Sequence, residues 1–164
     1  MKVLALGGSG GMGRYAVQYL HNIKQIEKIY VADVNSLSAK KFASHFDNRV
    51  EGLKLDIRDF ETLKSEMSKV DIVVNTTGPF FLFAEPILKA AIQTNTHYFD
   101  ICDDWEPTEK MLQMNEDAKK ANITAIIGLG ASPGLTNILA HMAISELDEV
   151  CLLYTSDAAD EPLC

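Results

Sequence analysis

Three groups of residues in this chain have types and spacings suited to chemistry. The first is "GGSGGMG" at 7 to 13, in which Gly8, Gly10 and Gly13 form G-x-G-x-x-G, with Ser9, Gly11 and Met12 filling the turn. Placed after a strand and at the mouth of a helix, this pattern suits a dinucleotide. The glycines allow a tight turn, close approach of backbone to a pyrophosphate, and close helix–strand packing, while the helix N-terminus offers free N–H groups to the phosphates. Asp33, 20 residues beyond Gly13, stands where an acid accepts the adenosine ribose hydroxyls. An acid there disfavours the extra phosphate of NADP, so the cofactor expected is NAD(P) with NAD favoured, although Arg14, Lys40 and Lys41 could offset that preference. Asp56 suits a hydrogen bond to the adenine amino group and equally suits a turn or helix cap in "LDIRD".

The second group is "NTTGPF", 75 to 80, in which Asn75, Thr76, Gly78, Pro79 and Phe80 would run beneath the cofactor. The third is "DICDDWEP", 100 to 107. Asp100, Cys102 and Asp103, followed by Asp104, set three carboxylates and a thiol close together as candidate catalytic groups, for general acid/base work or for holding an ammonium. The same cluster also suits helix capping before Pro107, and Cys102, with no partner nearby in sequence, also suits a small buried residue. His97, Trp105 and His141 read as structural. No residues form a metal site.

The elements that must position these groups alternate regularly. Apolar runs at 2–7, 28–33, 50–55, 71–76, 97–101 and 124–129 read as strands. Stretches at 11–23, 36–45, 59–67, 83–94, 107–121 and 134–147 read as helices. Six β-α units with strands apolar on both faces predict an α/β fold, a doubly wound parallel sheet of Rossmann type with strand order 3-2-1-4-5-6. The ends of its strands bring the three groups to one edge.

With 164 residues there is room for one domain, and 47% apolar with 23% charged residues fits a folded one. The net charge of −8, with no Lys/Arg cluster, argues against nucleic acid or anionic membrane as partner. Neither a signal peptide nor a membrane-spanning stretch is seen, and three cysteines form no disulfide framework, which points to the cytoplasm.

"GGSGGMGR", "NTTGPF", "HYFDICDDWEP" and "GLGASPGLTN", in this order over residues 1 to 150, resemble the nucleotide-binding part of the saccharopine dehydrogenase family. The resemblance implies an NAD(P)-dependent oxidoreductase acting on a C–N bond of an amino-acid or polyamine adduct. It also implies a homodimer formed through a second domain that completes the substrate site. By that resemblance Gly8, Gly10, Gly13 and Asp33 bind cofactor, and Gly78–Pro79–Phe80 flanks the nicotinamide. Ser132-Pro133-Gly134 departs from the Asp-Pro-Gly of amino-acid-cleaving members, and Thr136-Asn137 looks more like the carboxynorspermidine branch. A non-catalytic NAD-sensing module is the alternative. A short-chain reductase is excluded, because no Tyr-x-x-x-Lys occurs. "CLLYTSDAADEPLC", 151 to 164, breaks the rhythm of the rest, and its first part matches one reading frame of a common transposase-type sequencing adapter. The expectation is a non-native tail in place of the substrate domain, on a chain inactive by itself.

Overall fold

The computed structural model describes residues 1–151. The expectation for the tail concerns 151–164 and, beyond Cys151, lies outside the described residues. Strands β1 (Lys2–Leu6), β2 (Lys28–Asp33), β3 (Val50–Lys54), β4 (Ile72–Asn75), β5 (His97–Asp100) and β6 (Ala125–Ile126) alternate with helices. The helices are α1 (Gly11–His21), α2 (Ser36–Ala43), α3 (Phe60–Met67), α4 (Phe80–Gln93), α5 (Trp105–Leu112), α6 (Asn115–Lys120) and α7 (Leu135–Ser145). All strand pairs are parallel, in the order β3-β2-β1-β4-β5-β6, which is the doubly wound sheet expected.

The period of two along each strand divides the core. In β1, Val3 and Ala5 join Val17, Val31 and Phe42 beneath α1 and α2. Leu4 and Leu6 face the opposite way, onto Leu63, Met67, Ile87 and Leu88 of α3 and α4. Each fully buried Val, Leu or Ile contributes about 1.5–3 kcal/mol, so the two faces supply most of the drive to form the sheet. Helix starts follow local chemistry. Asn35 caps α2 by accepting from Ser38 N at 3.1 Å, and Asp59 caps α3 by accepting from Thr62 N at 3.1 Å.

Most element bounds shift by one or two residues from the sequence reading, and three differences have a clear cause. Helix α4 opens at Phe80 rather than 83, because Asp104, far along the chain, accepts the Phe81 N–H at 3.2 Å and caps it from outside. The helix expected over 107–121 is two, α5 and α6. Met114 N turns back to Met111 O at 3.1 Å and tightens the chain between them. Strand β6 is two residues instead of six, since Gly128 takes a left-handed φ of +69° and gives its N–H to the Asp100 side chain at 2.8 Å.

Beyond β6 the packing thins. No residue of α7 is buried, and Leu135, Ile138, Leu139 and Met142 are exposed. On the α1 face, Tyr15 and Tyr19 stand exposed beside Val74, Phe99 and Leu129 around an apolar groove of about 430 Å³.

Candidate dinucleotide site

The glycine turn is built around Gly7, whose φ of +67° lets the chain reverse directly out of β1. Gly10 N donates to Gly7 O at 2.9 Å and closes the turn. A Cβ on Gly13 would run into Gly7 O, and would lie 2.7 Å from Gly8 Cα and 2.8 Å from Thr76 Oγ1. Only glycine at 13 therefore lets α1 seat on the turn. Gly10 caps α1 with no side-chain hydrogen bond, so the first N–H groups of the helix are left for a ligand. Gly11 has open space around it and Met12 is exposed.

Beside the turn, Gly7, Asp33, Val34, Asp56, Thr77 and Phe83 line a cleft of about 370 Å³. Ser9 is buried and its Oγ donates to Asp33 Oδ2 at 2.5 Å, while Asn35 N donates to Asp33 Oδ1 at 2.9 Å. These bonds fix the carboxylate at the end of β2. Of the cations named from sequence or lining the cleft, Lys40 and Lys41 are exposed, while Arg14 and Arg58 have partners. Arg14 Nε donates to Ser9 O at 2.7 Å and its guanidinium lies 5.5 Å from the Phe42 ring centroid. Arg58 pairs with Asp56 at 2.6 Å, and its hydrogen bonds hold the Asp56 carboxyl down at about 2. Asp56 thus faces the cleft as a carboxylate already joined to a guanidinium.

Other expected site residues are spent on the scaffold. Asn75 is fully buried: its Nδ2 donates to Tyr98 Oη at 3.1 Å and its Oδ1 accepts Thr77 N at 3.0 Å. Thr76 Oγ1 donates to Leu6 O at 2.8 Å. Asn75 is thus spent within the sheet, and half-buried Thr76 gives its hydroxyl proton to β1. Gly78 lines the cleft, joined to Pro79 by a cis bond, and Pro79 caps α4 ahead of half-buried Phe80.

The acidic cluster divides in the same way. Asp100 is buried, with Oδ2 accepting from Tyr98 Oη at 2.7 Å and Oδ1 from Cys102 N and Gly128 N at 3.0 and 2.8 Å. It ties the ends of β4, β5 and β6 together and offers no free oxygen to a substrate. Burial first, and then the Asp100 carboxylate, push the Tyr98 hydroxyl well above its ordinary value, so Tyr98 stays a donor. Cys102 is buried beside Thr108 Oγ1 at 3.7 Å, and burial pushes its thiol up as well. It is a packed thiol, not a presented nucleophile. Asp103 is exposed, on a second cleft of about 320 Å³ with Trp105, Ser132, Thr136 and Asn137. Thr77, Arg58 and Phe83 were missed from sequence. Strand parity could have found Thr77, since Asn75 shares the inward face of Val73.

A cradle that a Cβ would fill, an open helix N-terminus and a fixed acid beyond β2 fit a dinucleotide. The fold and cleft together define a Rossmann-type dinucleotide-binding domain. The signature described as "Saccharopine dehydrogenase NADP binding domain" matches residues 3–126, and the chain belongs to that family. It is 28% identical over 139 residues to the lipid droplet localized protein of Caenorhabditis elegans, covering 78% of this chain and 32% of the relative. It is 26% identical over 147 residues to the NADP(+), L-glutamate-forming saccharopine dehydrogenase of Schizosaccharomyces pombe, covering 90% and 31%. In fold it matches the apo, histidine-tagged, L-Glu-forming saccharopine dehydrogenase of Saccharomyces cerevisiae with a TM-score of 0.76 at 23% identity, over 88% of this chain and 31% of that one. The chain thus spans about a third of the length of the curated relatives it matches. Among the described residues, no helix is long and apolar enough to cross a membrane and no His/Cys/Asp/Glu group could hold a metal.

Proposed function

We propose that this chain is the coenzyme-binding domain of an oxidoreductase that acts on the C–N bond of an amino-acid or polyamine adduct. The observation that carries the reading is the seat of α1 on the Gly7–Gly13 turn, with its N-terminus open beside Asp33. Bound there, NAD(P) would supply the hydride chemistry. The chain's own residues bind and orient. The first N–H groups of α1 hold the pyrophosphate, Asp33 accepts the adenosine ribose hydroxyls, and Asp56 with Arg58 borders the adenine end of the cleft. Gly78–Pro79–Phe80 flanks the nicotinamide. Asp103 is the proton-handling or ammonium-holding carboxylate, supported by its exposure on the cleft with Trp105 and Asn137. Residues 1–151 correspond to about a third of the curated relatives, so substrate closure and dimerisation are assigned to the rest of such a protein, and these residues alone bind dinucleotide weakly and turn over no amino-acid substrate.

The coenzyme preference is the sharp test. Asp33 would face the extra phosphate of NADP with Arg14 and Arg58 both engaged, so NADH binds more tightly, in contrast to the NADP(+) named for the fission-yeast relative. Titrations of the 164-residue chain with NADH and NADPH, followed by nicotinamide fluorescence, should give the lower Kd for NADH. Equal or tighter NADPH binding overturns the preference, and no binding of either overturns the function.

A further inference from the structure

Two apolar surfaces of this chain are left bare, and each supplies what the other lacks. A doubly wound sheet needs helices on both faces. The register runs Ala5–Val74–Phe99 across β1, β4 and β5, so Val74 and Phe99 stand on the face that α1 and α2 cover at β1 and β2. Helices α3, α4 and α5 pack on the opposite face. Beyond α1 the first face opens as the groove of about 430 Å³, floored by Val74 and Phe99. Met12, Tyr15, Tyr19 and Leu129 rim it, each more than half exposed. A helix would fit there. Helix α7 is the converse. Its Thr136, Asn137 and Ala140 face the cleft beside Trp105, whereas Leu135, Ile138, Leu139 and Met142, at i, i+3, i+4 and i+7, form an apolar stripe turned to solvent. Residues 129 to 145 contain no Asp, Glu, Lys or Arg, and Asp100 at the groove floor is buried with its oxygens already bonded. Stripe and groove can therefore meet without burying an unpaired charge, despite the net charge of −8.

We propose that the α7 stripe of one copy of this chain lies in the α1-face groove of a second copy, which returns its own stripe to the first groove in a closed two-fold pair. A foreign helix would fill the groove and leave the stripe bare, whereas a second copy covers both at once. The two surfaces adjoin. Leu129 lines the groove, Leu135 opens the stripe, and Leu135 N donates to Gly130 O at 2.9 Å across the turn between them, which suits exchange about a two-fold axis. The exposed side chains of rim and stripe hold about 1,000 Å² per copy, so a pair covers about 2,000 Å², the upper end of the roughly 1,200–2,000 Å² of a stable interface. Bare apolar patches of that size mark association sites. The pairing does not depend on the coenzyme reading and is separate from the dimerisation assigned to the rest of a longer protein.

The experiment is sedimentation velocity with light scattering on the 164-residue chain, in reducing buffer so that exposed Cys151 links nothing. The mass should be that of two chains at about 100 µM and fall toward one on dilution to about 1 µM. Leu139→Lys and Tyr19→Glu alter the stripe and the groove rim separately. Both positions are exposed, so circular dichroism should show each variant folded. Each should weaken pairing at least about tenfold, because it sets a charge in both seams. Mixed in equal amounts, the two variants should pair with each other, since one seam then carries neither substitution and the other sets Lys against Glu. Leu37→Lys, on the exposed surface of α2 outside both patches, should pair as wild type does. The proposal is overturned by a wild type that stays single at the highest concentration, or by growth beyond two chains. It is equally overturned by unchanged pairing in either folded variant, by the absence of a mixed pair, or by an equal loss in Leu37→Lys. Because the two substitutions lie on different helices, one variant that fails to fold leaves the other to decide.

Discussion

Two glycines two residues apart in the turn should respond to alanine in opposite senses. At Gly13 the new Cβ meets backbone: Gly7 O within contact range, and Gly8 Cα at 2.7 Å. An ordinary carbon–carbon contact is about 3.5–4.0 Å, so α1 must lift by about 1 Å along its first turn. The lift loosens Val17, which is fully buried under β1. Overpacking of this kind costs typically 1–3 kcal/mol, and with backbone as the obstacle the upper end applies, about 3 kcal/mol. For a chain of this size that lowers Tm by roughly 6–12 °C. At Gly11 nothing lies within 4 Å of the added carbon, and alanine favours the helix over glycine. Gly11→Ala should therefore leave stability unchanged or raise it by up to about 0.5 kcal/mol. Urea unfolding of both variants, read by far-ultraviolet circular dichroism with the m-value held as a check on two-state behaviour, measures the difference. Equal midpoints for the two variants would refute the packing argument, because it predicts a gap of about 3 kcal/mol with a defined sign.

Further outcomes follow from the end of β5 and the loop after it. Asp100→Asn replaces an acceptor of three hydrogen bonds by a group with one acceptor oxygen and two new donors, and should cost about 2–4 kcal/mol in urea, with Tyr98→Phe costing about 1–2 kcal/mol. An Asp100→Asn variant as stable as wild type would remove the network from the structural account. Cys102 should resist iodoacetamide in the folded chain, while exposed Cys151 reacts. Burial raises the Cys102 thiol, so the unfolded chain loses that proton first. The contribution to stability is complete below the unfolded thiol's pKa and is lost as pH rises through the folded one, so unfolding midpoints should fall from about pH 8.5 upward. A Cys102→Ala variant that keeps the same alkaline fall would contradict the assignment.

The sheet order and the glycine turn were legible in sequence because each rests on local rules. Runs such as "KIYVAD" are apolar on both faces, and G-x-G-x-x-G sits at a strand–helix junction. What was not legible depends on pairs remote in sequence. The start of α4 is set by Asp104, and the end of β6 by Asp100 reaching Gly128. The same remoteness hid the division of the acidic cluster. In composition Asp100, Asp103 and Asp104 are equivalent, yet the burial pattern of β5 turns Tyr98 and Asp100 inward together and leaves Asp103 outside. Asn75 and Thr77 share the same parity, and position separates them: Asn75 lies within β4 and serves the sheet, whereas Thr77 lies past its end and lines the cleft.

The central place of β1 has a consequence for how the chain is made. Residues 2–6 emerge first from the ribosome, and β2 and β3 complete one half of the sheet by residue 54. The other edge of β1 must wait for β4, which pairs Val3 with Ile72 and Leu6 with Asn75. At about 5–20 residues per second, the roughly 20 residues between β3 and the end of β4 leave that edge open for one to several seconds. During that interval an apolar, untwinned strand edge is exposed on a half-built core, and parallel pairing across so long a loop is slow to close. The window in which a nascent chain is vulnerable to edge-to-edge association is thus set by the length of the β3–β4 crossover, which cannot shrink far because Leu55, Leu63 and Met67 within it belong to the core.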